Sequence, residues 1–175
     1  MIETELGTLR RSHYSNELNA SMDGTSVTVM GWVLTIRGHG NISFATLRDQ
    51  NGDLSIVAKK GDCPDDIREK ISSLKAHSSI AITGNVKASE KAPSGYEIIP
   101  TELRVFSDVE KIPPFEPTVK TVKNIDTRLE VRPIDLRRDV LQHIFKTRSL
   151  VLKSIREYFG NQNFVEINTP KMIAT

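Results

Sequence analysis

The sequence has a single cysteine and no long hydrophobic run, and each of these scarcities excludes a class of protein. Cys63 is the only cysteine among 175 residues, so an intramolecular disulfide is impossible, and this pattern is typical of a reducing compartment. No segment approaches the ~18 consecutive apolar residues that a membrane-spanning helix needs. The basic residues near the N-terminus have no apolar run after them, which excludes a secretory signal. We therefore expect a cytoplasmic protein with no membrane association.

Residues that carry catalytic chemistry are also scarce. The sequence has four histidines without the spacing of metal ligands, namely His13, His39, His77 and His143. The turn Gly38-His39-Gly40 lacks the third glycine and the following helix of a dinucleotide-binding loop. Cys63 precedes a predicted helix N-terminus, which could lower the pKa of its thiol, but no catalytic base accompanies it. We assign no catalytic residue and no metal site to this chain.

Charged residues are plentiful, and they are unevenly distributed. Hydrophobic residues at 38% and charged residues at 26% are typical of a globular protein. The net charge is +2, yet residues 118–156 carry 10 basic residues against 4 acidic ones. Such a basic stretch can contact the phosphates of a nucleic acid, although the solvated face of a helix and linker has the same composition. At 175 residues the chain has room for one ordinary domain and part of a second.

Strand patterns dominate the first two thirds of the chain. Val27, Val29 and Val33 alternate with more polar neighbours at a period of two, and Asn51-Gly52 is a hairpin signal. A short helix follows the third strand, with Pro and acidic residues suited to its first turn. The other predicted strands cover residues 41–49, 53–59, 79–86 and 96–106. This order predicts a five-stranded OB-fold barrel in a mainly β protein, although SH3-like barrels and small sandwiches also use five strands.

The phase of the second strand places an aromatic residue on the outside of the predicted barrel. Phe44 and Arg48 share one face of this strand, and Leu47 lies on the other. Because an unpaired arginine in a small core is costly, we expect Phe44 to face outward, with Ser55 and Lys59 beside it. An exposed aromatic among basic and hydroxyl side chains is typical of a surface on which nucleobases stack. The alternative is that a bulge shifts the strand and puts Phe44 in the core.

The composition changes near residue 110. Pro113, Pro114 and Pro117 lie in a stretch with neither strand nor helix period, which predicts a semi-stiff linker. We therefore divide the chain into a barrel domain with a short N-terminal extension (1–109), a hinge (110–138) and the start of a second domain (139–175).

The second domain begins with a predicted helix over residues 140–159. Asp139 and Gln142 form a capping-box candidate at its start, and Gly160 is a C-cap candidate at its end. Its wide apolar stripe must be buried against something, and too few residues follow to cover it. A strand is predicted over residues 164–168, and the sequence predicts no partner strand for it in the second domain. The sequence therefore predicts an incomplete second domain.

Several of these stretches resemble one family. The segments DTRLEVRPIDLRR, HIFKTRSLVLKSIREYF and NFVEINTPKMIAT resemble class II aminoacyl-tRNA synthetases, in particular the aspartyl-tRNA synthetases of archaeal and eukaryotic type. The segments VTVMGWV and ISFATLRDQNG are similar to the anticodon-binding barrel of that family. The family's motif 1 is a long helix and a strand ending in Thr-Pro, at the dimer interface. The corresponding positions here are Phe164, Glu166, Thr169 and Pro170.

The resemblance implies that the barrel binds the anticodon of the aspartate tRNA, with the asparagine tRNA as a second candidate. By position, Phe44 is the residue on which an anticodon base stacks, and Glu97 accepts hydrogen bonds from a base edge. Arg37 lies near the anticodon backbone, and Arg48 is a further basic residue on the same strand face as Phe44. Ser55 occupies a position where the family usually has a glutamine, which offers both a donor and an acceptor.

The resemblance also implies an ATP- and Mg²⁺-dependent ligase that works as a homodimer. Motifs 2 and 3, which bind ATP and aspartate in this family, are absent from this chain. We therefore expect no cofactor here and no activity from this chain alone. Two alternatives remain open. One is a stand-alone OB-fold module that binds RNA or single strands, and the other is a protein-interaction role in which the long helix docks a partner.

Overall fold

The structure is a computed structural model that describes residues 6–111, 113–114 and 124–171. The chain divides into two compact units, Met1–Lys111 and Ile112–Thr175, which we describe separately. The first unit contains the strands β1 Ser26–His39, β2 Ile42–Arg48, β3 Asp53–Lys59, β4 Ser79–Ala88 and β5 Tyr96–Ser107, and the helix α1 Asp65–Ser73. The second contains the helices α2 Ile125–Glu130, α3 Arg132–Asp135 and α4 Asp139–Asn161.

The five strands close into a barrel in the order β1-β2-β3-β5-β4. All neighbouring strands are antiparallel except β3 and β5, which pair in parallel. The helix α1 lies between the third and fourth strands in the chain and contributes Ile67 and Ile71 to the core. This arrangement confirms the predicted OB fold.

The barrel interior is filled by the residues of one parity along each strand. Val27, Val29 and Val33 of β1 are buried, as their alternation predicts. Fully buried partners come from the other strands and from α1, and they are Leu47, Leu54, Ile56, Ile71, Ile80, Ile82, Val86 and Ile98. Burying each such side chain contributes about 1.5–3 kcal/mol, so this core supplies the main stabilisation of the first unit.

Register shifts between strands set which side chains reach the outer surface. β1 has a bulge between Val33 and Thr35, where its register with β2 shifts by one residue. The pairing of β4 with β5 shifts between Thr83 and Gly84. Each bulge moves the residues beyond it to the opposite parity, so one strand places even-numbered and odd-numbered residues on the same face.

A buried carboxylate fixes the N-terminal segment to the β2–β3 hairpin. Asp49 accepts hydrogen bonds from the backbone N–H of Ser15 at 2.7 Å and from its hydroxyl at 2.6 Å. It also accepts from the backbone N–H groups of Asn51 and Gly52 in the turn. Tyr96 donates its hydroxyl to the carbonyl oxygen of Ser15, and burial, with the charge of Asp49, raises the pKa of Tyr96. These contacts hold residues 15–17 against the barrel.

The described part of the predicted hinge folds into the two short helices α2 and α3, which are organised around Asp135. This carboxylate is fully buried, and Arg128 and Arg132 donate to it at 3.0–3.2 Å. Arg138 forms a third ion pair with it at 3.5 Å. Burial alone would raise the pKa of Asp135, but the hydrogen bonds and charges of Arg128 and Arg138 outweigh it and lower the pKa. The expected linker residue Pro117 lies outside the described residues.

The ends of α4 differ from the predicted caps. Asp139 is the first residue of the helix rather than its N-cap, which is Arg138, and Gln142 donates to the carbonyl oxygen of Leu136 at 2.9 Å. The predicted capping box is therefore wrong. Gly160 lies within the helix, so its predicted role as a C-cap is also wrong.

The left-handed residue that ends α4 is Asn163, with φ of 64°. The N–H of Phe164 donates to the carbonyl oxygen of Phe159, and the N–H of Asn163 donates to that of Gly160. This is a Schellman motif, and its usual hydrophobic contact is present, with the rings of Phe159 and Phe164 edge to face at 5.3 Å.

The strand predicted over residues 164–168 is not formed. Residues 164–170 have no regular secondary structure, and Phe164, Val165 and Ile167 are 65%, 84% and 77% exposed. A strand is stable only when its backbone groups are paired with another strand, and none of the described strands pairs with this segment. The apolar stripe of α4 is exposed in the same way, including Ile144, Val151 and Ile155.

Candidate nucleic-acid interface

Arg37, Phe44 and Val57 form a row across the outer face of the barrel. Arg37 of β1 pairs with Phe44 of β2, and Phe44 pairs with Val57 of β3. Phe44 is 43% exposed, so the outward orientation inferred from the strand phase is confirmed. Arg37 is also exposed, whereas Val57 is buried. The row therefore presents an accessible aromatic ring with a cation on one side and an apolar neighbour on the other.

A second row, one step along the strands, consists of hydroxyl groups. Thr35 of β1 pairs with Thr46 of β2, and Thr46 pairs with Ser55 of β3. The Thr35 hydroxyl donates to the Thr46 hydroxyl oxygen at 3.1 Å. Ser55 is half-buried on the outer face, as its parity predicts. The Arg37 row and this hydroxyl row therefore place stacking and hydrogen-bonding groups side by side.

Glu97 lies on the same outer face, on β5. Its neighbours Tyr96 and Ile98 are buried in the core, and Ile98 pairs with Ile56 of β3. Because side chains alternate along a strand, Glu97 and Ser55 face outward from adjacent strands. Farther along β5, the shift in its pairing with β4 allows Leu103 to pack against the core at the parity of Glu97. Glu97 can therefore face outward although Leu103, at the same parity, packs against the core.

Arg48 is held by a carboxylate rather than extended into solvent. Its Nε and one terminal nitrogen donate to the two oxygens of Asp53 at 2.6 and 2.9 Å. The two residues pair across β2 and β3, at the end of the strands next to the hairpin. A bidentate pair of this kind fixes the guanidinium plane. Arg48 thus forms a rigid edge of the face, while Arg37 supplies its exposed cation.

Trp32 was not singled out by the sequence pattern, yet it belongs to this face. It pairs with Arg48 across β1 and β2, and its side chain is 37% exposed. Before the bulge, the outward-facing residues of β1 have even numbers, as Trp32 does. After it, the outward-facing residues Thr35 and Arg37 have odd numbers. The bulge between Val33 and Thr35 causes this change of parity. The signal available in the sequence was its parity, which is opposite to that of Val27, Val29 and Val33.

The motif 1 positions lie in the exposed segment after α4. Glu166 accepts hydrogen bonds from Nε of Arg156 at 3.0 and 3.1 Å, which ties the segment back to the helix. Phe164 contacts Phe159 through the Schellman motif, and Thr169 and Pro170 are exposed. Of these four residues, Glu166 and Phe164 therefore contact α4.

The described residues offer little for metal or redox chemistry. Among residues 6–111, 113–114 and 124–171, no three His, Cys, Asp or Glu side chains cluster as metal ligands. Over the same ranges, no helix has the length and apolar character required to cross a membrane. The Cys63 thiol is buried, and burial raises its pKa. The expectation that the helix N-terminus could lower that pKa is therefore wrong, because desolvation dominates over the neighbouring Arg68.

Comparison with known families matches both parts of the chain. The family model for tRNA anticodon binding, described as an OB-fold nucleic acid binding domain, matches residues 27–106. The model described as tRNA synthetases class II (D, K and N) matches residues 124–175. Together they account for the barrel and for the helical segment after it.

Individual relatives agree with the family models. The chain is 46% identical over 166 residues to an aspartate–tRNA(Asp/Asn) ligase of Methanocaldococcus jannaschii, covering 95% of this chain and 38% of that protein. It superimposes on an asparaginyl-tRNA synthetase from Pyrococcus horikoshii with a TM-score of 0.82 and 27% identity, covering 92% of this chain and 38% of that one. It superimposes on an aspartyl-tRNA synthetase from Entamoeba histolytica with a TM-score of 0.82 and 28% identity, covering 92% of this chain and 39% of that one. The chain thus spans less than two fifths of the length of these proteins.

Proposed function

Because this chain belongs to the aspartyl-tRNA synthetase family of class II, we propose that its barrel binds the anticodon loop of the aspartate tRNA. The observation that carries this proposal is the exposed ring of Phe44 beside Arg37, the hydroxyl row and Glu97 on one face. We define the RNA face as Arg37, Phe44, Thr35, Thr46, Ser55 and Glu97. The fold positions these groups on β1, β2, β3 and β5 of a rigid barrel.

Each group has a distinct role in holding an unpaired loop. The ring of Phe44 stacks on a base, since the flat face of any nucleobase can pack on an aromatic side chain. Arg37 pairs with a backbone phosphate through its charged, forked guanidinium group. Glu97 accepts hydrogen bonds from amino or imino groups of a base edge, because an ionised carboxylate is only an acceptor. Stacking supplies affinity in this scheme, and the polar groups supply base selectivity.

The asparagine tRNA is a second ligand in this proposal. The M. jannaschii relative is named for both the aspartate and the asparagine tRNA. Ser55 is consistent with such breadth, since its short hydroxyl makes fewer fixed contacts with a base than a glutamine amide. We therefore expect the two tRNAs to bind with similar affinity and other tRNAs to bind more weakly.

The test is a gel-shift titration of the 175-residue chain with three transcripts: the aspartate tRNA, the asparagine tRNA and a tRNA with an unrelated anticodon. We expect preferential binding of the first two, with an affinity that falls as salt rises, because phosphate contacts release counterions. Equal binding of all three tRNAs would refute anticodon recognition but keep a general RNA-binding role. Absence of any salt-sensitive binding would favour a protein-interaction role instead.

For the whole enzyme we propose ATP- and Mg²⁺-dependent attachment of aspartate to tRNA, by a cytoplasmic homodimer. ATP and Mg²⁺ would supply the activation of the amino acid in that enzyme. The exposed apolar face of α4, with Phe164 and Val165 after it, supports an extensive protein interface. The same exposure disfavours a stand-alone module. An aminoacylation assay of the full-length enzyme tests this, and charging with asparagine alone would contradict it.

A further inference from the structure

The hydroxyl row contains a directed hydrogen bond that orients one side chain toward the RNA face. Thr35 donates to the Thr46 hydroxyl oxygen at 3.1 Å. A hydroxyl group carries one proton and accepts through its lone pairs, so the bond from Thr35 leaves the Thr46 proton available. Within the part of the chain that the structure describes, no side-chain or backbone acceptor takes that proton. The Thr46 hydroxyl can therefore donate its proton to a ligand while it accepts from Thr35.

The position of Thr46 puts this donor within reach of a base stacked on Phe44. The two residues lie two positions apart on β2 and face the same side, so their Cα atoms are separated by about 6.5 Å along the strand. A nucleobase that covers the Phe44 ring extends over a comparable distance. Ser55 lies across from Thr46 on β3, so the hydroxyl row continues along the edge of such a base.

The chemistry of the row complements that of Glu97. Glu97 only accepts hydrogen bonds, and Ser55 can donate or accept. A nucleobase edge presents both donors and acceptors, and an acceptor such as a carbonyl oxygen or ring nitrogen needs a donor from the protein. Within the RNA face Arg37 is a donor, but we assigned it to a backbone phosphate, so a base acceptor needs a donor from another residue. Thr46 fills that role.

We propose that Thr46 donates a hydrogen bond to an acceptor on the edge of the anticodon base stacked on Phe44. Thr35 is a positioning residue, which acts by holding the Thr46 oxygen so that its proton points at the base. This inference rests on the proposed anticodon recognition and names two further residues that determine its selectivity.

The test uses the 175-residue chain and stem-loops that carry the aspartate anticodon or a single base replacement at each anticodon position. Thr46→Val removes the hydroxyl without changing the shape of the side chain. We expect it to weaken binding of the cognate stem-loop about three- to tenfold, as loss of one hydrogen bond should. We also expect selectivity to be lost at one anticodon position only. Unchanged selectivity at every position would overturn the proposal.

Thr35→Val tests the positioning role. We expect a smaller loss at the same anticodon position, and the double variant should bind no more weakly than Thr46→Val alone, because Thr35 acts only through Thr46. Additive losses would contradict this. Thr46→Ser keeps the hydroxyl and should restore the lost selectivity, which separates hydrogen bonding from any change in folding.

The barrel offers a matched control and a way to separate two kinds of failure. Thr28 and Thr83 form a similar cross-strand hydroxyl pair at 3.1 Å, on the β1–β4 wall rather than the RNA face. Thr83→Val should leave RNA binding unchanged, and a loss equal to that of Thr46→Val would refute a specific role. If Phe44→Ala weakens binding and Thr46→Val does not, this inference alone fails. If neither variant changes binding, the proposed RNA face itself is wrong.

Discussion

Arg37 and Phe44 lie opposite each other on the antiparallel strands β1 and β2, and both side chains are exposed on the outside of the barrel. A guanidinium beside an aromatic ring can contact the phosphate and the base of one nucleotide together. This pair is the centre of the RNA face. It depends on the bulge in β1, because without that shift Arg37 would point to the other side of the sheet.

The first prediction concerns the stacking surface. We expect Phe44→Ala to weaken binding of the aspartate tRNA by about 1–3 kcal/mol, the loss of one stacked base. Phe44→Trp should retain affinity because it keeps an aromatic face. Tyr158→Ala is the control, since Tyr158 is an exposed aromatic residue of the second unit. Fluorescence anisotropy titrations measure all three variants, and an unchanged affinity for Phe44→Ala would remove Phe44 from the site.

The second prediction concerns the close packing of β1. A Cβ atom on Gly31 would overlap the carbonyl oxygen of Arg48, whereas one on Gly38 would meet no atom within 4 Å. We expect Gly31→Ala to destabilise the barrel by about 1–3 kcal/mol through overpacking, and Gly38→Ala to change stability by less than about 0.5 kcal/mol. Urea unfolding followed by the fluorescence of Trp32 measures both. Equal stability of the two variants would mean that β1 and β2 are not this close.

The third prediction concerns the buried carboxylate of the second unit. Asp135→Asn leaves the surrounding arginines without their anion, so we expect it to destabilise the helices α2 to α4 by about 3 kcal/mol. Asp126→Asn, at an exposed acid of α2, should change stability by less than about 0.5 kcal/mol. Thermal melts of the helical circular dichroism signal provide the measurement. A melting temperature equal to that of the unchanged chain would contradict the role of Asp135.

The same residue gives a fourth prediction, on pH. Because the pKa of Asp135 is lower in the folded state than its ordinary value of 3.8, its contribution to stability is complete above that value. The contribution is lost as the pH falls below 3.8 and through the lower folded pKa. We expect the difference in melting temperature between the unchanged chain and Asp135→Asn to shrink on acidification through this range. A difference that grows as the pH falls would show that the folded pKa is raised instead.

Most of the barrel could be predicted from the sequence because its signals are local. The third strand is predicted over residues 53–59 and found at Asp53–Lys59, next to its hairpin turn. The outward position of Phe44 followed from Arg48 on the same face, since a charge avoids a small core. In the structure Arg48 does avoid the core and pairs with Asp53.

The errors arise where structure depends on distant or competing contacts. Glycine is the usual left-handed residue after a helix, but the contact between Phe159 and Phe164 favours a left-handed residue three positions after Gly160, at Asn163. The strand at residues 164–168 needs partners, and none of the described residues supplies them. The Thr35–Thr46 pair could not be foreseen, because a bulge has no reliable signal in a single sequence.

The central claim is that the face around Phe44 contacts the anticodon loop, and a site-specific cross-link tests it most directly. A photoreactive benzoyl-phenylalanine at position 44 is irradiated in complex with the aspartate tRNA, with the same group at position 158 as a control. We predict a cross-link from position 44 to a nucleotide of the anticodon loop and none there from position 158. A cross-link from position 44 to the acceptor stem, or no cross-link under conditions where the tRNA is bound, would contradict the account.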